Sequence, residues 1–233
     1  YNIEDGYFQT KKKLTPAQKE DIEKSDVKVY ENFYIEQKLT NGSTIRFFKN
    51  RKEVDKVCLM NGKMPKKSGE IAVDRMYADN NELKVGDTVK SRKKTFRITG
   101  LVALSDYSAL FQNNNDTMFD AVKFGVAIVT DKDFEALNQV KVQYNYAWIY
   151  DKKPATEKKE KKMAEDLMED MADVVTIESF VPQYQNQSIH FTGDDMGSDR
   201  AMIVMLLYIV MAILAFVFGI TISNTIRKEA GVI

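Results

Sequence analysis

Few side chains in this chain stand at spacings that do chemistry. The single histidine, His190, sits beside Phe191 in a Gln- and Asn-rich segment, with no acid, serine or cysteine at motif spacing. The patterns G-x-S-x-G, H-E-x-x-H, C-x-x-C and G-x-x-x-x-G-K-[ST] do not occur, so the sequence offers no nucleophile elbow, zincin helix, redox pair or phosphate-cradling loop. "NNND" (Asn113 to Asp116) supplies oxygen ligands but lacks the ordered carboxylates and terminal glutamate of an EF-hand, so it reads as a solvated loop. Met163, Leu167, Met168 and Met171 fall on one face of a helix whose other face is charged, which is the pattern of packing against a sheet. The lone cysteine, Cys58, between Val57 and Leu59, reads as a buried, inert thiol. No catalytic residue, cofactor or metal is expected, and the chain does not read as an enzyme.

What remains is the chemistry of contact. "LSDYSALFQNNNDTMFDA" combines loop composition with Tyr107, Leu110, Phe111, Met118 and Phe119. An exposed apolar cluster of that kind marks a candidate cargo or partner surface, although the same residues would equally plug a β-rich lobe. Near the C-terminus Ala215, Gly219 and Ser223 recur every four residues. Such a small-residue stripe lets a second membrane helix approach closely.

That stripe lies in the strongest signal of the chain. From Ala201 to Ile222 no residue is charged; as a helix the run spans roughly 33 Å, the thickness of a bilayer's hydrocarbon core. Asp194, Asp195, Asp199 and one Arg200 precede it, whereas Arg227 and Lys228 follow. Basic residues gather on the cytoplasmic flank, so the C-terminus is expected in the cytosol and the preceding residues outside. By charge alone Arg227, Lys228 and Glu229 anchor that topology.

Lys plus Arg balance Asp plus Glu at 34 each, so no net field attracts nucleic acid. One cysteine excludes an intrachain disulfide, and a large outward domain without disulfides suits a bacterial surface. Neither Met nor a signal peptide precedes Tyr1. An outward domain needs a way across the membrane, so a leading helix or signal peptide is expected upstream.

The elements that must position these residues are mixed α and β. Thr15 caps a helix from Pro16 to about Lys24, with Gln18 completing a capping box. Val27 to Leu39 reads as a strand, and Asn41-Gly42 turns it into a hairpin with "STIRFFKN". Short strands and helices follow: "GEIAVD", a helix near Met76 to Asn80, "LKVGDTVKS", "KKTFRITGLVAL", "FGVAIVT", the helix "DKDFEALNQ" and the strand "YNYAWIYD". The methionine-bearing helix and a returning strand at Val174 to Ile177 close the series. The expected fold is therefore α+β: a two-lobed extracytoplasmic domain over residues 1–195, followed by a transmembrane helix with flanks over 196–226 and a cytoplasmic start over 227–233. Lobe one, a discontinuous βαβ-type unit, takes about 1–39 and 141–185; the inserted β-rich lobe takes about 40–140.

"GEIAVDRMYADNNELKVGDTVK" with "KTFRITGLVAL" resembles the extracytoplasmic core domain of permeases of the MacB and FtsX type, through Glu70-Ile71, Leu83 to Thr88 and Phe96 to Gly100. "TISNTIRKEAGVI" resembles the cytoplasmic exit of that family's second helix. The resemblance implies an ABC transporter permease subunit working by mechanotransmission: a separate cytosolic ATPase closes, and long helices pass the motion to an outer domain that handles peptide, lipoprotein or lipid cargo. It implies further transmembrane helices from the same or a second permease, and gives Arg227, Lys228 and Glu229 the start of the relay. The Lys- and Asn-rich composition points to a Gram-positive source. An FtsX-like activator of a cell-wall hydrolase, and a single-pass sensor or adhesin, are the alternatives.

Overall fold

The computed structural model describes residues 2–91, 94–137 and 141–230, excepting the side chains of 192–201 and 224–230. It divides into an α+β unit, Tyr1–His190, and a helical unit, Phe191–Ile233.

Two sheets build the α+β unit. Strands β1 (Gly6–Thr10), β2 (Val27–Glu31), β10 (Tyr144–Tyr150) and β11 (Ile177–Pro182) form an antiparallel four-stranded sheet in the order β11-β1-β10-β2. Strands β3 (Tyr34–Lys38), β4 (Thr44–Lys49), β5 (Val57–Gly62), β6 (Glu70–Asp74), β7 (Thr88–Lys90), β8 (Thr95–Leu104) and β9 (Phe124–Val129) form a mixed seven-stranded sheet. Its order is β3-β4-β9-β6-β8-β5, with β7 on β8. The β4–β9 and β6–β8 pairs are parallel.

The four-stranded sheet follows a period of two. Phe8, Val29, Tyr146 and Trp148 face helices α1 (Pro16–Glu23) and α4 (Glu157–Val174), and pack with Ile22, Leu167 and Met171. Gly6 is required here because a Cβ at that position would lie 2.2 Å from the Trp148 ring. Of the helix face expected to pack, Leu167 and Met171 are buried and Met163 packs against them, whereas Met168 turns to solvent. The Thr15 capping box forms as expected: Gln18 N–H donates to Thr15 Oγ1 and Thr15 N–H to Gln18 Oε1.

In the seven-stranded sheet β9 is buried at all six positions, as a strand covered on both faces must be. Helices α2 (Arg75–Asn80), capped by Asp74, and α3 (Asp131–Leu137) contribute Tyr77, Ala78, Phe134 and Leu137 to its core. The Asn41-Gly42 turn joins β3 to β4, with Gly42 at φ +89°.

Three expectations need correction. The returning strand expected at Val174 to Ile177 runs Ile177–Pro182 instead, because Val174 still belongs to helix α4 and Val175 caps it. Val27 to Leu39 is not one strand: it breaks at Asn32-Phe33, where Asn32 N–H donates to the Asn145 carbonyl and Phe33 sets its edge against Tyr144 and Tyr146. Val27 and Val29 keep alternation, but Tyr34 and Ile35 are buried in succession, the sign of a chain leaving one sheet for another. Lobe one's first strands thus end at Glu31, and residues 34–38 belong to the seven-stranded sheet rather than to lobe one. Cys58 is half-buried rather than buried, because β5 is an edge strand paired only with β8. Strand β1 was not anticipated at all.

Helix α5 runs Gln187–Ala230. Its first turn belongs to the α+β unit and is tied there: Ser108 Oγ donates to the carbonyls of Ser188 and Ile189, and Gln187 N–H donates to Asn114 Oδ1. The span Met202–Ser223, 22 residues, is long and apolar enough to cross a membrane, and none of it is buried against protein.

Candidate functional site: a polar cleft between the sheets

The alternation that sends Phe8 and Tyr146 toward the helices sends Tyr7, Gln9 and Asn145 the other way. In β4, Ile45 and Phe47 lie on one face of the strand and Arg46 and Phe48 on the other, where both are buried and line the cleft. These two polar-bearing faces, with Tyr34 and the connection that follows β8, line a cleft of about 390 Å³.

Arg46 organises one wall. It donates to Glu36 Oε1 from Nε (2.9 Å) and Nη2 (2.5 Å), to the Tyr107 hydroxyl from Nη1 (2.5 Å), and to the Gln112 carbonyl (2.7 Å). Its guanidinium lies 4.1 Å from the centre of the Tyr34 ring. Burial opposes the charge, but Tyr107, Tyr34 and Glu36 more than offset it, so the pKa of Arg46 is raised and it stays cationic. Burial likewise raises the Tyr107 and Tyr7 hydroxyls above the ordinary tyrosine range. On the opposite wall Gln9 Nε2 donates to the Tyr34 hydroxyl (3.1 Å) and to Asn145 Oδ1 (3.2 Å).

At the junction of the sheets sits a buried charge cluster. Arg51 Nη1 donates to Asp106 Oδ2 at 2.6 Å and lies 3.8 Å from Asp55. Asp55 Oδ1 accepts the Glu4 N–H, while the Glu4 carbonyl accepts from Gln183 Nε2 and Glu4 Oε1 from Asn186 Nδ2. Two carboxyls, Asp106 and Asp55, thus share one guanidinium, and the Glu4 side chain is hydrogen-bonded to Asp55 beside them. Burial first, then the charges of Asp55 and Asp106, hold Glu4 well above the usual carboxylate range. Burial and Asp106, opposed by Arg51, push Asp55 up to about 7.

The apolar residues expected to form an exposed contact surface do not form one. Leu110 and Phe111 are buried, Tyr107 and Phe119 are half-buried, and only Met118 is open, at 81% exposure. The connection folds inward because Leu110 completes the seven-stranded core, Phe111 packs on Phe119, and Tyr107 reaches Arg46. Tyr107 and Phe111 line the cleft; Leu110, Met118 and Phe119 do not. His190 is exposed, and Asn113 and Asp116 bond each other in a local turn. Among the described residues no three His, Cys, Asp or Glu side chains converge to hold a metal.

On α5, Ala215, Gly219 and Ser223 line a shallow notch with Phe216 and Ile220. The side chains of Arg227, Lys228 and Glu229 lie outside the described residues. Sequence reasoning missed Glu4, Arg46, Arg51, Asp55 and Asp106. Arg46, a charge between Ile45 and Phe47, was the one readable signal.

No family model and no curated protein matches the chain. Among solved structures it is similar to the extracellular domain of the noncanonic ABC-type transporter YknZ from Gram-positive bacteria. The two are 12% identical with a TM-score of 0.37, over 76% of this chain and 97% of that one. It is also similar to the periplasmic region of MacB from Actinobacillus actinomycetemcomitans, at 14% identity and a TM-score of 0.36, over 75% of this chain and 87% of that one.

Proposed function

We propose that this chain is part of an ABC transporter permease whose outer domain, residues 1–195, is moved by a cytosolic ATPase through the helix that follows. The observation that supports this reading best is α5. A span of membrane length, unburied along its whole apolar run, belongs to a helix whose first turn is hydrogen-bonded into the α+β unit. A tether for a sensor or adhesin has no need of that bonding. The stretch Glu70 to Gly100, which carries the family motif, folds as β6, α2, β7 and most of β8.

On this reading residues 196–226 cross the bilayer and 227–233 enter the cytosol, where Arg227, Lys228 and Glu229 begin the relay from the ATPase. The Ala215, Gly219 and Ser223 notch packs against another helix of the permease. Peptide, lipoprotein or lipid cargo meets the outer domain near Tyr107 and Phe111, the two expected contact residues that line the cleft.

The test is to express the parent gene with its chromosomal neighbours and purify through a tag on this chain. An ATP-hydrolysing subunit is expected to co-purify, with its activity reduced when Arg227, Lys228 and Glu229 are replaced by alanine. A single-span protein that purifies without an ATPase sinks the reading. Retention of a cell-wall hydrolase in place of cargo handling moves it to an FtsX-like regulator.

A further inference from the structure

The seven-stranded sheet ends at β5 in an open edge. Strand β5 pairs with β8 along one side, and its second row of backbone N–H and C=O groups has no strand partner among the described residues. Its faces are open as well. Every residue from Leu59 to Gly62 is exposed. Leu59 and Met60, with Val85 beside Gly62, are large apolar side chains at 43%, 51% and 41% exposure. The far edge of the same sheet, β3, is covered at both ends, where Tyr34 bridges to Gln143 and Leu39 to Ser91.

Charge says what suits that edge. From Lys56 to Lys67 the chain carries lysine at 56, 63, 66 and 67 and no acid, and Lys84 precedes Val85. All five are exposed. Lys56, Lys63, Lys66 and Lys84 form no ion pair among the described residues. The carboxylates that follow in the chain are already engaged: Glu70 accepts the Lys66 and Lys67 N–H groups, and Asp87 accepts the Lys84 N–H. Lysines on an edge, with a register irregularity such as the one at Met60, are how a sheet resists pairing with its own copy. Two such edges would set like charges against each other. An acidic chain meets the opposite field.

We propose that the β5 edge docks an extended acidic segment of a partner polypeptide, which joins the sheet as a further strand. The main chain of that segment bonds to β5. Its apolar side chains rest on Leu59, Met60 and Val85, and its carboxylates lie among Lys56, Lys63, Lys66 and Lys84. The irregularity at Met60 keeps the docked run to a few residues. No residue of β5 lines the inter-sheet cleft, and the edge needs nothing from the membrane helix. Peptide docking and the permease reading can therefore fail separately.

The chain's one cysteine reports on this edge. Cys58 lies within β5 opposite Ala103 and is half-buried. A strand laid along β5 covers it further, so its alkylation by iodoacetamide slows as the edge fills. A peptide held elsewhere, in the cleft for example, leaves that rate unchanged.

The experiment follows the fluorescence anisotropy of labelled octapeptides titrated with the full chain in phosphatidylcholine nanodiscs. The probe alternates Glu and Val. Its controls alternate Lys and Val, group all Glu before all Val, or carry N-methyl groups on one or the other alternate set of residues. The Glu–Val probe is expected to bind and to slow Cys58 alkylation. N-methylation of the set whose N–H groups face β5 should weaken binding about tenfold or more, the value of two lost hydrogen bonds; methylation of the other set should not. Lys63→Glu combined with Lys84→Glu should weaken the probe about tenfold and admit the Lys–Val peptide, with circular dichroism confirming the fold. The proposal falls if the probe does not bind, if the grouped or Lys–Val peptide binds the parent equally, if neither methylated set matters, or if Cys58 is unaffected. It falls also if the chain dimerises through β5 and excludes the probe, or if only phosphatidylglycerol in the nanodisc protects Lys63 and Lys84 from acetylation. The first result assigns the edge to a second copy and the second to lipid. The peptide and alkylation comparisons need no variant, so they decide the matter even if the substitutions unfold the chain.

Discussion

The two sheets of the α+β unit bury themselves in different ways. The seven-stranded sheet is made from one continuous stretch, residues 34–129, and its central strand β9 is apolar on both faces. The four-stranded sheet is assembled from the two ends of that unit, β1 and β2 with β10 and β11, and is two-faced. One face carries Phe8, Tyr146 and Trp148 under helices α1 and α4; the other carries Gln9 and Asn145 into the cleft. A stretch that closes its own core needs little from distant chain. A sheet joined across more than a hundred residues is held by a few large aromatic side chains, and its spare face is where polar groups collect.

Trp148→Ala should break this arrangement most severely. The Trp148 ring is fully buried, stacks on Phe180 at 4.7 Å between centroids and touches Phe8 at 6.4 Å. Its removal is expected to cost about 3–5 kcal/mol, read as a lower urea midpoint for the detergent-solubilised chain. Hydrogen exchange sharpens the comparison: amides of β1, β10 and β11 should lose protection first, while those of β9 hold longer. Equal loss in both sheets would show that they unfold as one unit.

The same contrast explains what could be read from sequence. The seven-stranded sheet was legible because its signals are local: the short apolar run in "GEIAVD", Asn41-Gly42 at the hairpin, and apolar continuity in "FGVAIVT". The four-stranded sheet was legible only in part. Strand β1, "GYFQT", is five residues long, and only its pairing with β10 and β11 makes it a strand. The switch between sheets at Asn32-Phe33 was hidden because both flanks have strand composition. The candidate site was least legible of all. Glu4, Asp55 and Asp106 are ordinary surface residues by type, and no spacing connects them; they meet because the sheets do. Whether Tyr107, Leu110 and Phe111 are exposed or plug the β-rich lobe was undecidable from sequence for the same reason, since their burial is a tertiary fact.

Acidity offers a gentler test of the junction. Glu4 and Asp55 have folded-state pKa values raised by burial, and Asp74, the cap of α2, is pushed up to about 6 by burial as well. A carboxyl raised on folding binds its proton more tightly in the native state than in the unfolded one. Its stabilising contribution is complete below the unfolded value, about 4, and is lost as pH rises through the folded value. The urea midpoint is therefore expected to fall between pH 5 and pH 8. Within the seven-stranded lobe Asp133 goes the other way: burial opposes its charge, but Lys94, Ser68 and Gly69 outweigh that and lower it, so its contribution is lost on acidification below about pH 4. Asp55→Asn removes one of the raised groups and should flatten the slope above pH 5 without altering the loss at acid pH. An unchanged slope would place the titration elsewhere than at the junction.

The smallest expected effect is the most local. Helix α1 has eight residues, too few to persist without tertiary packing. It is held by Leu14 and Ile22 in the aromatic core, by the reciprocal Thr15 and Gln18 bonds, and by Gln18 Nε2 donating to the Val174 carbonyl at the end of α4. Thr15→Ala removes one cap acceptor and is expected to cost about 1 kcal/mol. Because α1 covers the four-stranded sheet alone, that loss should appear as faster exchange of the α1 amides and of β2, with β9 changed only by global unfolding. Gln18→Ala removes both the return bond and the tie to α4, so it should loosen α1 and the C-terminal end of α4 together. If Thr15→Ala instead lowered protection equally in β9, a cap on one sheet would be felt at the centre of the other. The polar cleft would then lie inside a single cooperative unit rather than between two.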